Sequence, residues 1–205
     1  IAYSTVVSRD SVRILLMIAA LNGLEVMGCD VQNAFLSAKN KEKHWIKAGP
    51  EFGHEQGKRF LVVRALYGLK SASASFRSFM AEKLDNAGFR STYADPDVWI
   101  RPAVKPCGKE YYEYVLCYVD DLIAISTNPR KILEELKGQD IKYKNDEIKP
   151  PEMYLGARLK ERNLEGTACW TIGSDDYIKA AVQTVKQAEA IKRWRWPTKV
   201  STPMT

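Results

Sequence analysis

Apolar and polar positions follow two different periods along this chain, and the changes of period mark most of its elements. From Val12 to Leu21 nearly every residue is apolar, with Asp10 or Ser11 placed to cap a helix and Gly23 placed to end it. Ile14, Leu15, Leu16, Met17 and Ile18 leave almost no polar face, so this helix is expected to be buried. Leu24, Val26, Met27 and Cys29 then make a short run that closes on Asp30, a strand pattern. Lys39 to Lys47 is charged and turn-like, with a short strand starting at His44-Trp45-Ile46. Gly49-Pro50 and Gly53 to Gly57 signal a surface loop, and Phe60 to Val63 reads as a strand.

The second half repeats the alternation. Ser71-Ala72-Ser73-Ala74-Ser75 opens a helix carrying Phe76, Phe79, Met80 and Leu84 and ending at Gly88. Its small residues allow close helix–sheet packing or a surface against which a base pair can lie. Pro96, Pro102 and Pro106 punctuate the next stretch, with Val98-Trp99-Ile100 as a strand between them. Tyr111 to Ser126 reads as a hairpin of two buried strands. Asn128-Pro129 starts a helix that turns Ile132, Leu133 and Leu136 inward and stops at Gly138. A second hairpin joins Met153–Leu159 to Thr167–Ile172 around Asn163 to Gly166. Ser174 caps a final helix (Ile178, Ala181, Val182, Val185, Ile191), followed by Lys192-Arg193-Trp194-Arg195-Trp196. Alternating cations and aromatics of that kind suit phosphates and bases, or a solvated tail.

Composition narrows the class. At 205 residues, with 45% apolar and 10% aromatic content, the chain can bury one good core and a smaller appendage. A net charge of +6 suits a phosphate-bearing partner. Cys29, Cys107, Cys117 and Cys169 show no paired metal spacing and read as reduced thiols of a cytosolic or nuclear protein; His44 and His54 have no zinc-site partner. The apolar helix near Val12 is too short to span a membrane. A chain beginning at Ile1 is expected to be a piece of something longer.

The sharpest chemistry lies inside the central hairpin. Tyr114 to Val119 enters two adjacent carboxylates, Asp120 and Asp121, and Leu122 to Ile125 leaves them. Two charged, unpaired carboxylates between buried strands would cost several kcal/mol or more. No Lys or Arg lies between Glu110 and Asn128, so a divalent cation is the economical counter-charge, and Mg²⁺ prefers carboxylate oxygens. The plain alternative is a hairpin turn that simply uses Asp. Asp30, at the end of another apolar run, adds a third carboxylate, or alone a strand-end or capping Asp.

Tyr3-Ser4, Val6-Val7, Asp30-Val31, Ala34-Phe35-Leu36, Ala65 to Lys70, Tyr118 to Asp121, Tyr154-Leu155-Gly156 and Ser201-Thr202-Pro203, in this order and spacing, resemble the reverse transcriptases of copia-type LTR retrotransposons. The resemblance implies an α+β fold: a polymerase palm with a split βαβ (ferredoxin-like) antiparallel sheet backed by helices and with partial fingers over residues 1–173. Residues 174–205 would start the thumb or connection as a helix and basic tail. It implies an RNA-directed DNA polymerase, a nucleotidyltransferase adding deoxynucleotides to a primer 3′-hydroxyl with two Mg²⁺ ions, or Mn²⁺ in their place. The partners would be an RNA template, a DNA primer, deoxynucleoside triphosphates and the rest of a retrotransposon polyprotein, with no membrane. The setting would be a cytoplasmic virus-like particle, or the nucleus.

By the same resemblance Asp30, Asp120 and Asp121 are the catalytic residues and metal ligands, helped by the Val31 carbonyl. Phe35 lies under the incoming sugar and excludes a 2′-hydroxyl; its bland alternative is a core Phe. Ala34, Tyr67, Gly68, Lys70 and Tyr118 complete the nucleotide pocket, with Arg64 and Lys70 neutralising phosphates. Tyr154, Leu155 and Gly156 grip the primer end. Ser71-Ala72-Ser73 replaces the family's Gln-Ala-Pro, Thr5 a usual Pro and Ala38 a common Gly. The family's basic fingers segment would precede Tyr3, so good primer–template binding with poor extension is expected of this stretch. The rival readings are a catalytically inactive remnant that only binds nucleic acid and an RRM-like module, which would want exposed aromatics on its central strands.

Overall fold

In the computed structural model, which describes residues 4–187, the elements run in chain order. They are α1 (Arg9–Asn22), β1 (Glu25–Asp30), α2 (Ala34–Ser37), β2 (Trp45–Lys47), β3 (Arg59–Leu61), α3 (Ala72–Asn86), β4 (Arg90–Ser91) and β5 (Val98–Val104). Then come β6 (Glu110–Tyr118), β7 (Asp121–Ser126), α4 (Pro129–Lys137), β8 (Met153–Tyr154), β9 (Ala157–Leu164), β10 (Thr167–Gly173) and α5 (Asp175–Gln187). Tyr3, Ile191, the 192–196 stretch and residues 201–203 lie outside the described residues.

Five strands form one sheet in the order β1-β7-β6-β5-β4. Each neighbouring pair is antiparallel, so β1 and β6 run parallel with β7 between them, and the chain from β1 to β6 crosses through α3. This is a split βαβ arrangement. Gly28 and Lys149 exchange backbone hydrogen bonds of 2.7 and 3.1 Å on the open side of β1. Period-two alternation gives the central strands two apolar faces. Val115, Cys117, Leu122, Ala124 and Trp99 pack against α3 (Phe76, Met80, Leu84) and α4 (Ile132, Leu133, Leu136). Val26, Leu116, Ile123 and Ile125 pack against α1 (Val12, Leu15, Leu16, Ala19) and against Tyr154 and Leu159 of the second hairpin. A sheet covered on both sides explains the near-continuous apolar runs of β6 and β7. Truncating any of these large buried side chains to Ala should destabilise the fold by about 2–5 kcal/mol.

Five expectations change. Helix α1 is capped by Ser8, whose hydroxyl accepts from the Ser11 amide, and Gly23 closes it at φ +59°. It is buried on one side only: Ile14, Met17 and Leu21 are exposed, because the main sheet and β10 of the second sheet cover only its opposite side. Met153 to Leu159 is not one strand. Leu155 (φ +52°) and Gly156 (φ +70°) form a two-residue turn between β8 and β9, a hairpin geometry that needs positive φ. Pro102 sits inside β5 rather than before it; β4 pairs only with Trp99 and Ile100, so the edge beyond has no bond for the missing N–H to break. The strand expected over Phe60 to Val63 is shorter, Arg59–Leu61, leaving Val63 exposed.

Asn128 caps α4 by accepting from the Lys131 amide, with Pro129 in the first turn. The small residues opening α3 face inward: Ala72 and Ser75 are buried beside Phe76, which favours close helix–sheet packing as their role.

Candidate active site

The register of β1 against β7 places Asp30 directly opposite Asp121. That juxtaposition is built from both ends. The β6–β7 turn holds Val119 and Asp120 between the paired residues Tyr118 and Asp121, and the Val31 amide donates to the Asp120 carbonyl at 2.7 Å. Val119 sits at φ +53°, a conformation that is a genuine outlier for a β-branched residue and stores strain of about 1–3 kcal/mol. Val7 donates to the carbonyl of Cys117 at 3.3 Å, and Cys117 donates to that of Asp97 at 3.0 Å, so the strand entering the turn is held on its other side as well.

Burial pushes the Asp121 carboxyl up to about 6, and the negative charges of Asp120 and Asp30 push in the same direction against the pull of Lys144. Lys144 adds a positive side chain to the divalent ion expected as the economical counter-charge of Asp120 and Asp121. Its Nζ lies 3.4 Å from Asp30 Oδ2, delivered by a short 3₁₀ turn, Lys144–Asp146, in which Asn145 and Asp146 both take positive φ. No periodic pattern marks that lysine in the sequence, because it sits in irregular backbone beyond α4. Asp30, Asp121, Lys144, Lys149, Met153 and Tyr154 line one cleft of about 350 Å³.

Two carboxylates on adjacent strands, one of them raised by burial and by its neighbours' charge, make the kind of oxygen donor set that Mg²⁺ takes. Among the described residues no three His, Cys, Asp or Glu side chains converge on one point, so Asp30, Asp120 and Asp121 are near one another without being gathered into a cage.

The remaining candidate residues fall into two groups. Ala34 is buried at the start of α2, and Phe35 beside it is half-buried, its ring 4.6 Å from that of Tyr67 and 6.1 Å from that of Phe76. Tyr67 is itself exposed, Gly68 has φ +92° and Lys70 is exposed. Arg64 donates to the Ser37 carbonyl at 3.0 Å, which gives it a structural tie besides any phosphate. On the cleft side, Tyr118 meets Tyr154 edge-on at 6.2 Å. The Tyr154 hydroxyl is buried and has no hydrogen-bond partner among the described residues, while Leu155 and Gly156 form the tight turn after it.

Asp95 and Asp97 also emerge as buried carboxylates, although the sequence pointed only to the proline between them. Asp97 accepts from Arg77 Nε at 2.7 Å and from Thr5, and Asp95 accepts from the Ser8 amide and the Ser11 hydroxyl. Burial alone would raise Asp95, but these bonds outweigh it and hold the carboxyl below its ordinary value. They tie the first residues and α1 to the sheet.

A family model described as reverse transcriptase (RNA-dependent DNA polymerase) matches residues 2–197. The chain is 27% identical over 192 residues to the retrovirus-related Pol polyprotein from transposon TNT 1-94 of Nicotiana tabacum, covering 92% of this chain and 14% of that protein. It is 24% identical over 160 residues to the corresponding polyprotein from transposon RE1 of Arabidopsis thaliana, covering 77% of this chain and 11% of that one. The chain thus spans about a seventh or less of these relatives' length. With a match along nearly its whole length, the chain belongs to the reverse transcriptase (RNA-dependent DNA polymerase) family, among the copia-type transposon members.

Proposed function

We propose that this chain is the palm-centred part of an RNA-directed DNA polymerase, with its reaction centre at the β1–β7 junction. The observation that carries this reading is the pairing of Asp30 with Asp121, locked by the Val31 amide on the Asp120 carbonyl at the mouth of a cleft. Asp30, Asp120, Asp121 and the Val31 carbonyl would hold two Mg²⁺ ions, which supply positive charge to the attacking and leaving oxygens of an in-line displacement when bound. The chain's own part is positioning. The sheet fixes the carboxylates; the Phe35 ring, braced by Tyr67 and Phe76, walls the sugar position; Tyr118, packed on Tyr154, holds the turn against the second hairpin. Lys144 serves as counter-ion to Asp30 until a divalent ion takes that place. Residues 174–187 would open the thumb or connection.

Primer extension on an RNA template with deoxynucleotides and Mg²⁺ tests the reading. Asp120→Asn should lower extension by at least about a hundredfold, as expected for loss of a group that stabilises transition-state charge. Circular dichroism and template binding should stay close to those of the parent. An Asp120→Asn chain that extends as well as the parent removes this residue from the mechanism. A parent chain that binds primer–template and never extends it leaves the binding-only reading standing.

A further inference from the structure

The second hairpin carries a row of cations that nothing above uses. In β9, Leu159 is buried against the main core, while Arg158, Lys160 and Arg162 are exposed. Strand alternation therefore forces these three onto the opposite, outward face of the small β8–β9–β10 sheet. Their cross-strand neighbours on β10 are Gly173, Thr171 and Cys169, residues too short to cover them. No acidic side chain shares that face within β9, since Glu161 points with Leu159, and neither Lys160 nor Arg162 is engaged in an ion pair among the described residues. Successive members of the row stand about 7 Å apart, two residues of extended chain, a step close to that of phosphates along a nucleic-acid strand.

The row also has a direction. Arg158 pairs across β8 with Met153, and Met153 lines the cleft that holds Asp30 and Asp121. From there Lys160 and Arg162 lead outward along a hairpin of eight and seven residues, anchored on its other face by Leu159 and Trp170. We propose that this outward face is a phosphate track for the nucleic-acid strand whose end reaches the cleft. The inference rests on the polymerase reading for the identity of that strand, and on the β9 register alone for the track. A rigid strand face holding cations at phosphate spacing binds without reading bases, since phosphate contacts position a strand and carry no sequence information. Arg162, farthest from the cleft, would touch the strand several nucleotides from its end.

The test is the salt dependence of binding, measured by fluorescence anisotropy with a labelled DNA primer annealed to an RNA template. Each phosphate contact removed should lower the slope of log affinity against log salt by about 1. The double variant Lys160→Gln, Arg162→Gln should therefore lose about 2 from that slope, with affinity at low salt down at least about tenfold. Lys131→Gln, Lys137→Gln is the control, because α4 lies on the other side of the main sheet and the net charge falls equally. It should keep the parent slope. The exchange Lys160→Arg, Arg162→Lys should bind like the parent. Equal losses in both Gln pairs, or an unchanged slope in the β9 pair, would overturn the track, as would loss of binding in the charge-preserving exchange. Extension is scored separately. A chain that binds through this face and never extends would sink the polymerase reading alone, and one that extends while the β9 pair binds normally would sink the track alone.

Discussion

Replacing Asp121 by Asn should make the metal-free protein more stable at neutral pH, an unusual direction for a change at a proposed reaction centre. Burial and the charges of Asp120 and Asp30 raise the Asp121 carboxyl from 3.8 to about 6. A folded-state value above the unfolded one means that the ionised carboxylate opposes folding at pH values above about 6. The penalty fades as pH falls, is mostly gone near 4 and vanishes below about 3, where the group is protonated in both states. Without screening by solvent, a displacement of that size corresponds to about 3 kcal/mol. The group is only half-buried, so solvent screening reduces this to about 1 kcal/mol. For a protein of this size that is a rise in Tm of about 3 °C at pH 7.5, shrinking to a small part of that at pH 4. Thermal melts of both proteins at the two pH values, without metal and then with saturating Mg²⁺, measure it. Mg²⁺ should stabilise the parent more than the variant and cancel or reverse the difference. A lower Tm for Asp121→Asn at pH 7.5 without metal, or a gap of the same size at both pH values, would refute the electrostatic reasoning.

Other outcomes follow from the same geometry. Lys144→Met removes the cation 3.4 Å from Asp30 and should tighten Mg²⁺ binding in calorimetric titration; weaker or equal binding would mean that Lys144 does not compete for the site. Phe35→Val should raise ribonucleotide incorporation relative to deoxynucleotide in an extension assay, whereas unchanged discrimination would leave Phe35 as a packing partner of Tyr67 and Phe76 alone. Burial pushes the Cys29 thiol up to about 12, whereas Cys107 is exposed. Iodoacetamide at pH 8 should therefore label Cys107 in the folded protein and reach Cys29 only on unfolding, by mass spectrometry; early labelling of Cys29 would show β1 to be open.

The order of elements was legible because each change of period is local. Caps, glycine stops and apolar runs lie within a few residues of what they control, as at Asn128-Pro129 and Gly88. The exposure of Ile14, Met17 and Leu21 was not legible, since a wholly apolar helix says nothing about how many neighbours cover it. The break at Leu155-Gly156 was hidden because Leu is an improbable residue at positive φ, so only the glycine signals a turn. At the site, the types Asp30, Asp120 and Asp121 were readable, but the facing of Asp30 and Asp121 is a property of register between distant strands. Lys144 and the Asp95–Asp97 pair carry no pattern at all: their roles come from tertiary neighbours, and a charged residue in irregular backbone looks the same whether it faces water or a carboxylate.

The position of β7 between β6 and β1 also sets the order in which this centre can come into being. The β6–β7 hairpin closes through a two-residue turn and needs almost no loop entropy, so it can form within microseconds. Pairing with β1 must wait for a loop spanning α2, α3 and four further strands to close, the slow kind of contact that governs folding rates. Asp120 and Asp121 are thus laid out early, and Asp30 arrives late, bringing like charge onto β7 at the step that is already slowest. A cation present at that moment should speed the docking of β1, so refolding in Mg²⁺ should accelerate most for the phase that protects the Val31 amide, bonded to the Asp120 carbonyl, from exchange. The metal would then act as a folding partner before it could act as a cofactor.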